Sequence, residues 1–202
     1  MPTQHNIERH FENIVAEANL APSVHNTQPT RWYFDTANNQ IELTIDDTRK
    51  LPIADPQGKD VLLSCGAAAE GTIIALSRYN QAVQNIIYTD DEKFILQITE
   101  SELPDRHINE VHQRRTWRGM FDKLPSKTQL LSLKSKTDQD TVFIEDKQQL
   151  KAISKLNDVA GISFYRDRLF LEEIYSWMRF SAQHKDWNRD GLNADAMAMS
   201  KW

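Results

Sequence analysis

The sequence predicts an α+β fold in which a mainly antiparallel sheet is flanked by helices. Two strand pairs support this prediction: 31–34 with 41–45, and 83–88 with 94–99. Each pair is separated by a short segment rich in turn-forming residues, which is typical of a hairpin. Helical patterns precede, separate and follow the two pairs, so we expect helices packed on the sheet.

The first half of the chain contains the most clearly patterned elements. Apolar residues at helical spacing predict an amphipathic helix that ends near Leu20 and is stopped by Pro22. The next segment, 22–29, is polar and has a proline at each end, which predicts a stiff loop. A run rich in Ala, Leu and Ile at 59–79 predicts a long helix, whose small central residues 66–69 allow close packing.

Beyond a boundary at Leu103-Pro104, the second half is predicted to be mostly helical. The expected elements are helices at 105–113, 126–133, 147–159 and 163–180, and a strand at 141–144. No low-complexity linker separates the halves, so we expect them to pack together.

Composition excludes several functional classes. With 202 residues, the chain is long enough for one domain or somewhat more, and 9% aromatic residues argue against disorder. The 24 basic and 29 acidic residues give a net charge of -5, which argues against a nucleic-acid or anionic-membrane binder.

Cysteine usage and the lack of targeting signals predict a cytoplasmic protein. The single cysteine, Cys65, excludes an intramolecular disulfide and fits a reducing compartment. The N-terminus lacks the apolar core of a signal peptide, and polar residues interrupt the most apolar stretch, 61–76, so no membrane span is predicted. HExxH and CxxC motifs are absent, so we expect no metal site.

The proline-bracketed loop at 22–29 is the first candidate site. It holds five neutral hydrogen-bonding side chains: Ser23, His25, Asn26, Thr27 and Gln28. Such groups can match the O2, N3–H and O4 edge of a flavin ring without adding charge. The alternative is a polar turn whose side chains satisfy their own backbone.

The arginine segment at 114–118 is the second candidate site. Arg114, Arg115 and Arg118 with Thr116 form the strongest local positive charge in an acidic protein, and arginine binds phosphate bidentately. The six glycines form neither GxGxxG nor a P-loop, so side chains would have to hold a phosphate. A solvated helix end is the alternative. Single-stranded nucleic-acid binding, with Trp117 interleaved, is opposed by the net charge.

Together the two segments resemble the flavin-dependent nitroreductase superfamily. Residues 21–29, APSVHNTQP, look like the loop that lines the isoalloxazine ring, and 114–118, RRTWR, with Phe121 look like the segment that holds the FMN phosphate. Their reversed order, together with 55–59 and 64–68, is similar to the Acg-like branch, in which two nitroreductase repeats are fused. Segments 177–181 and 190–192 also look like that branch's second repeat.

The resemblance implies a nitroreductase-like fold with a first repeat at 1–104 and a partial second repeat at 105–202, apparently truncated. It implies cofactor binding by Ser23, His25, Asn26, Gln28, Arg114, Thr116 and Arg118. The implied reaction passes hydride from NAD(P)H through FMN to a nitroaromatic or quinone-like acceptor. No catalytic side chain is expected because the flavin carries the chemistry.

Two alternatives to this function stay open, and one further expectation concerns assembly. A flavin-binding or flavin-storage protein with a covered flavin is the alternative to an enzyme. A protein-interaction module that uses the arginine segment is a second alternative. We also expect a homodimer, because an incomplete repeat would expose apolar surface that a second copy could cover.

Overall fold

The computed structural model describes residues 2–119, 125–137 and 140–198, with side chains from residue 6 onward. It divides into two compact units, one of residues 1–117 and 173–202 and one of residues 118–172. The two units are defined by contacts in the fold. The predicted boundary between 104 and 105 instead divides two repeats of the sequence, so the units do not test it. That repeat boundary stays a prediction.

The first unit contains both predicted strand pairs. Its elements are α1 (Pro2–Ala18), β1 (Thr30–Asp35), β2 (Gln40–Ile45), α2 (Lys59–Ser77), β3 (Gln81–Tyr88), β4 (Phe94–Glu100), β5 (Met178–Arg179) and β6 (Leu192–Asn193). The main sheet has the order β1-β2-β4-β3, and all its neighbours are antiparallel. The prediction of an antiparallel sheet with flanking helices is confirmed.

The core of this unit lies where α1 and α2 pack on the sheet. Its buried side chains are Ile7, Ile14, Ile41, Leu43, Ala68, Ala69, Ala75, Leu76, Leu96 and Ile98. Burying a large aliphatic side chain contributes about 1.5–3 kcal/mol to the stability of the fold. Because the cluster includes side chains from α1, α2 and the sheet, its burial holds both helices against the sheet. The close approach of α2 to α1 lies at Gly71 rather than at the predicted residues 66–69: a Cβ added to Gly71 would lie 2.9 Å from the Ala18 carbonyl oxygen, whereas one added to Gly66 would meet nothing within 4 Å.

The helix α2 is the one described helix that is long and apolar enough to cross a membrane, and half of its most apolar window is buried inside the fold. Its three hydroxyl side chains, Ser64, Thr72 and Ser77, have partners within the protein. Trp32 Nε1 donates to Thr72 Oγ1 at 2.9 Å, and that hydroxyl donates to the Ala68 carbonyl oxygen at 2.8 Å. These contacts are those of a core helix.

Two predicted elements in the second half are wrong. Segment 105–113 is not a helix: it forms turns and one 3-10 turn at Val111–Gln113. The Asp105 carboxylate accepts from the His107 backbone N–H at 2.7 Å, and such local bonds compete with helix formation.

The strand predicted at 141–144 is also wrong, because this segment is not paired in a sheet. Phe143 instead lies beneath Lys134, whose Nζ is 5.5 Å from the ring centroid. A strand is stable only when it pairs with a neighbouring strand, and the local sequence pattern does not show whether such a partner is present.

The second unit is largely helical, with α3 (Lys127–Lys134), α4 (Lys147–Arg166) and the start of α5 (Arg168–Ser176). The predicted helices at 126–133 and 147–159 are confirmed, and the first has a capping box between Ser126 and Gln129. The helix predicted at 163–180 differs at both ends, because residues 163–166 continue α4, α5 begins at Arg168 and ends at Ser176, and β5 follows.

Candidate functional site

The proline-bracketed loop contains one 3-10 turn, Val24–Asn26, and an unusual backbone. His25, Asn26 and Gln28 have φ angles of 47°, 54° and 51°. Left-handed backbone costs a residue other than glycine about 1 kcal/mol or more. The loop therefore depends on its surroundings to keep this conformation.

Bonds at both ends of the loop provide part of that support. Ser23 Oγ accepts from the Gln28 backbone N–H at 2.9 Å, and Ser64 Oγ in α2 accepts from the Val24 N–H at 3.2 Å. At the end of α1, Asn19 Nδ2 donates to Gln28 Oε1 at 3.0 Å. The loop is thus attached to both helices of the core.

A segment more than 160 residues away in sequence binds the other side of the loop. The Asn26 carbonyl oxygen accepts from the Gly191 N–H at 3.0 Å, and Asn26 Nδ2 donates to the Gly191 carbonyl oxygen at 3.1 Å. Gln28 Nε2 donates to the Arg189 carbonyl oxygen at 2.8 Å. Both predicted ring-binding amides are therefore held in fixed orientations.

Asp190, which precedes Gly191 in the chain, forms ion pairs with two arginines, Arg49 and Arg179. Its Oδ2 is 3.1 Å from an Arg49 guanidinium nitrogen, and its Oδ1 is 2.7 Å from one of Arg179. The same Arg49 nitrogen donates to the Thr27 carbonyl oxygen at 2.6 Å. Both guanidinium carbons lie about 6 Å from the Trp177 ring, at 6.0 and 5.8 Å.

Sequence reasoning missed Arg49 and the role of Asp190. The two residues are 141 positions apart, and no local pattern connects them. Gly191 carries the one readable signal: its φ is +74°, and a Cβ there would lie 2.4 Å from the Trp177 carbonyl oxygen. Only glycine fits this position without strain.

The arginine segment meets the chain just before the proline-bracketed loop. An Arg114 guanidinium nitrogen donates to the Leu20 carbonyl oxygen at 3.1 Å, and another donates to Thr116 Oγ1 at 3.3 Å. Arg115 instead donates to the carbonyl oxygens of His112 and Arg114, at 2.9 and 2.8 Å. Arg114 and Thr116 are both exposed and lie side by side.

Arg114 also borders a mostly apolar cleft of about 300 Å³. The end of α1, the middle of α2 and residues 107–114 form its walls, which include Leu20, Pro22 and Ile74. The cleft therefore reaches from the arginine segment to the first proline of the loop.

The other predicted site residues are placed as follows. His25 is half-buried within the 3-10 turn of the loop. Arg118 is exposed and is the first residue of the second unit. Phe121 lies outside the described residues. The cofactor-binding roles of all seven predicted residues stay predictions.

The donors in the first unit fit a flavin mononucleotide in their chemistry. An arginine has five N–H donors, and the bonds of Arg114 to Leu20 and Thr116 use two of them. An asparagine amide has two, and the bond to Gly191 uses one of those of Asn26. Charged donors for a phosphate and neutral donors for a ring are therefore present. In the described part of the chain, no cluster of three or more His, Cys, Asp or Glu could hold a metal ion.

Comparison with known proteins identifies several relatives. The chain is 28% identical over 183 residues to acg of Mycobacterium tuberculosis, which is named as a candidate NAD(P)H nitroreductase; the match covers 83% of this chain and 53% of acg. A second protein of that organism with the same kind of name is 40% identical over 64 residues, 32% of this chain and 18% of that protein.

PigM of a Serratia species, named as a probable NAD(P)H nitroreductase, is 35% identical over 74 residues, 36% of this chain and 21% of PigM. The chain spans at most about half the length of these relatives. No protein-family model matches it.

Proposed function

The chain is a relative of the Acg-like nitroreductases, and on that premise we propose that it is an FMN-dependent oxidoreductase that uses NAD(P)H. Its acceptor would be a nitroaromatic or quinone-like small molecule. When bound, FMN would supply the hydride-transfer chemistry between the nicotinamide and the acceptor.

The observation that carries the proposal is the hydrogen bond from Arg114, which also donates to Thr116, to the carbonyl oxygen of Leu20, two residues before Pro22. Arg114 and Leu20 are 94 positions apart in sequence, and neither motif alone requires that the arginine segment lie at the start of the loop. Arg114 would hold the phosphate through charge-assisted hydrogen bonds, with Thr116 as a neutral donor. The assignment of Arg118 to the same phosphate rests on the sequence resemblance alone.

The loop side chains would orient the ring. The second amide hydrogen of Asn26 and the hydroxyl hydrogen of Ser23 can donate to ring oxygens, and the ring atoms that need donors most are those that gain negative charge on reduction. His25 would complete the hydrogen-bonding edge. Gln28 would hold the loop in position, because its amide nitrogen already donates to Asn26 Oδ1 and to the Arg189 carbonyl oxygen and its amide oxygen accepts from Asn19. Because these groups are neutral, they favour a ring over a second phosphate.

A fluorescence titration of FMN tests the binding step. We expect saturable binding by the purified chain, and Arg114→Ala should weaken it about tenfold or more, since a hydrogen bond to a charged group contributes about 1.5–3 kcal/mol. Arg115→Ala is the matched control: it removes the same charge one position away, from a side chain directed at backbone carbonyls. No saturable FMN binding would refute the proposal.

Anaerobic addition of NADH or NADPH tests the reaction. The proposal predicts bleaching of the long-wavelength flavin band, followed by its recovery when a nitroaromatic or quinone is added. Bound flavin that neither nicotinamide bleaches would refute the oxidoreductase and support flavin storage. An Arg118→Ala variant that lost a protein partner but kept its flavin content would support the interaction module.

A further inference from the structure

We propose that Asp190 is a positioning residue for the flavin site, because it fixes the conformation of the proline-bracketed loop through Arg49 and Gly191. We call Arg49, Arg179, Asp190 and Gly191 the Asp190 clasp. The inference rests on the proposed function for its consequence in flavin binding. Its structural part concerns the protein without cofactor.

The loop cannot hold its own conformation by local preference. His25, Asn26 and Gln28 all have left-handed backbone, and none of them is glycine. A loop of this composition, released from its surroundings, would move these residues to the ordinary right-handed or extended regions. That movement would redirect the Asn26 and Gln28 side chains.

The clasp and its neighbour Arg189 contact three successive loop residues. Gly191 bonds Asn26 through its N–H and its carbonyl oxygen, at 3.0 and 3.1 Å. Arg49 binds the Thr27 carbonyl oxygen at 2.6 Å, and Arg189 accepts from Gln28 at 2.8 Å. The left-handed part of the loop is therefore held from one side by groups that Asp190 anchors.

Asp190 is the shared acceptor of the clasp. It contacts Arg49 and Arg179, and Arg179 is only 6% exposed, with a buried Nε that has no hydrogen-bond partner in the described structure. Without the Asp190 carboxylate charge, Arg49 and Arg179 would each lose an ion pair. The loss is strongly unfavourable for Arg179, because its charge is buried. Arg49 would keep a second carboxylate, because its Nε is 3.7 Å from Asp46. We therefore expect the clasp to open locally rather than the core to unfold.

Hydrogen exchange on the protein without cofactor tests the structural part. In Asp190→Asn, amide exchange across residues 22–30 should become faster, while exchange in β2 and β4 should not change. Asp195→Asn is the control, since it makes the same charge change at an exposed side chain in the same segment. Unchanged exchange in the loop of Asp190→Asn would overturn the inference.

FMN binding tests the positioning role. If the loop holds its binding conformation only about one-tenth of the time in Asp190→Asn, the apparent Kd should rise about tenfold. The visible band of the bound flavin should also shift, because ring contacts change, whereas Asp195→Asn should leave both readouts unchanged. Equal affinity and an identical spectrum in Asp190→Asn would overturn the positioning role.

Two outcomes separate this inference from the proposed function. If the wild-type chain binds no FMN, the proposed function and the positioning role fail, but faster loop exchange would still establish the clasp. If Asp190→Asn loses its far-UV circular dichroism, Arg49→Gln replaces it, because Arg49 lies at the exposed edge of the clasp with 23% of its side-chain surface accessible. Unchanged loop exchange in that variant would equally overturn the inference.

Discussion

Arg78 and Glu17 form a bidentate ion pair that connects the end of α2 to the end of α1. Arg78 Nε lies 2.7 Å from Glu17 Oε2, and its terminal nitrogen lies 2.7 Å from Oε1. The pair raises the pKa of Arg78, chiefly through the hydrogen bonds to Glu17. Arg78 also donates to the Ile108 carbonyl oxygen, so this pair anchors the segment that leads to Arg114.

Glu17→Gln should lower the free energy of unfolding by about 2 kcal/mol. The Glu17 side chain is only 10% exposed, and removing its charge leaves Arg78 without an ionic partner, although solvent reaches part of that guanidinium. Urea unfolding measures the change. Glu12→Gln, at an exposed position of α1, is the control and should stay within about 0.5 kcal/mol of wild type. A Glu17 variant as stable as that control would contradict the role given to the pair.

Gly71→Ala should destabilise the fold by about 1–3 kcal/mol, because its Cβ would meet the backbone of α1 only 2.9 Å from the Ala18 carbonyl oxygen. Gly66→Ala is a matched control in the same helix, since a Cβ there meets nothing within 4 Å. We expect that control to be neutral or up to about 1 kcal/mol more stable, because alanine favours helix. Thermal unfolding of both variants decides the point: equal melting temperatures would mean that α1 can move away from α2.

The Cys65 thiol should react slowly with iodoacetamide in the native protein. Cys65 is only 1% exposed, and its sulfur accepts a hydrogen bond from Thr30 Oγ1 at 3.3 Å. Burial raises the pKa of the thiol. The nucleophile is the thiolate, so both access and charge oppose the reaction. Mass spectrometry should detect rapid labelling only after unfolding in urea. Rapid native labelling at pH 8 would contradict the burial of this side chain.

The same raised pKa of Cys65 predicts how stability depends on pH. The unfolded chain loses this proton at a lower pH than the folded chain does, so the folded state binds more protons in the interval between the two values. The thiol therefore contributes its full stability below the ordinary thiol pKa. That contribution declines as the pH rises towards the raised folded value, and urea midpoints of wild type and Cys65→Ala should converge there.

Sequence patterns located the elements that depend on local periodicity. The two hairpins and the long α2 follow from hydrophobic periodicity and turn residues, which lie within a few positions of one another. The closest contact of α2 with α1 lies at Gly71 and not at the small residues 66–69. The predictions failed at 105–113 and 141–144. In the first, a side chain–backbone bond competes with the helix; in the second, Phe143 lies beneath Lys134 instead of pairing with a strand.

The candidate site also combines features that local sequence predicts with contacts that it does not predict. The sequence by itself determined which residue types are available: neutral donors between Pro22 and Pro29, and positive charge at 114–118. Only the tertiary structure decided that Arg114 meets Leu20 and that Asn26 meets Gly191. These contacts join residues 94 and 165 positions apart, and no local preference encodes them. They form because the fold brings distant segments together, and polar groups that lose water in this way, as at the partly buried bond between Asn26 and Gly191, need partners within the protein.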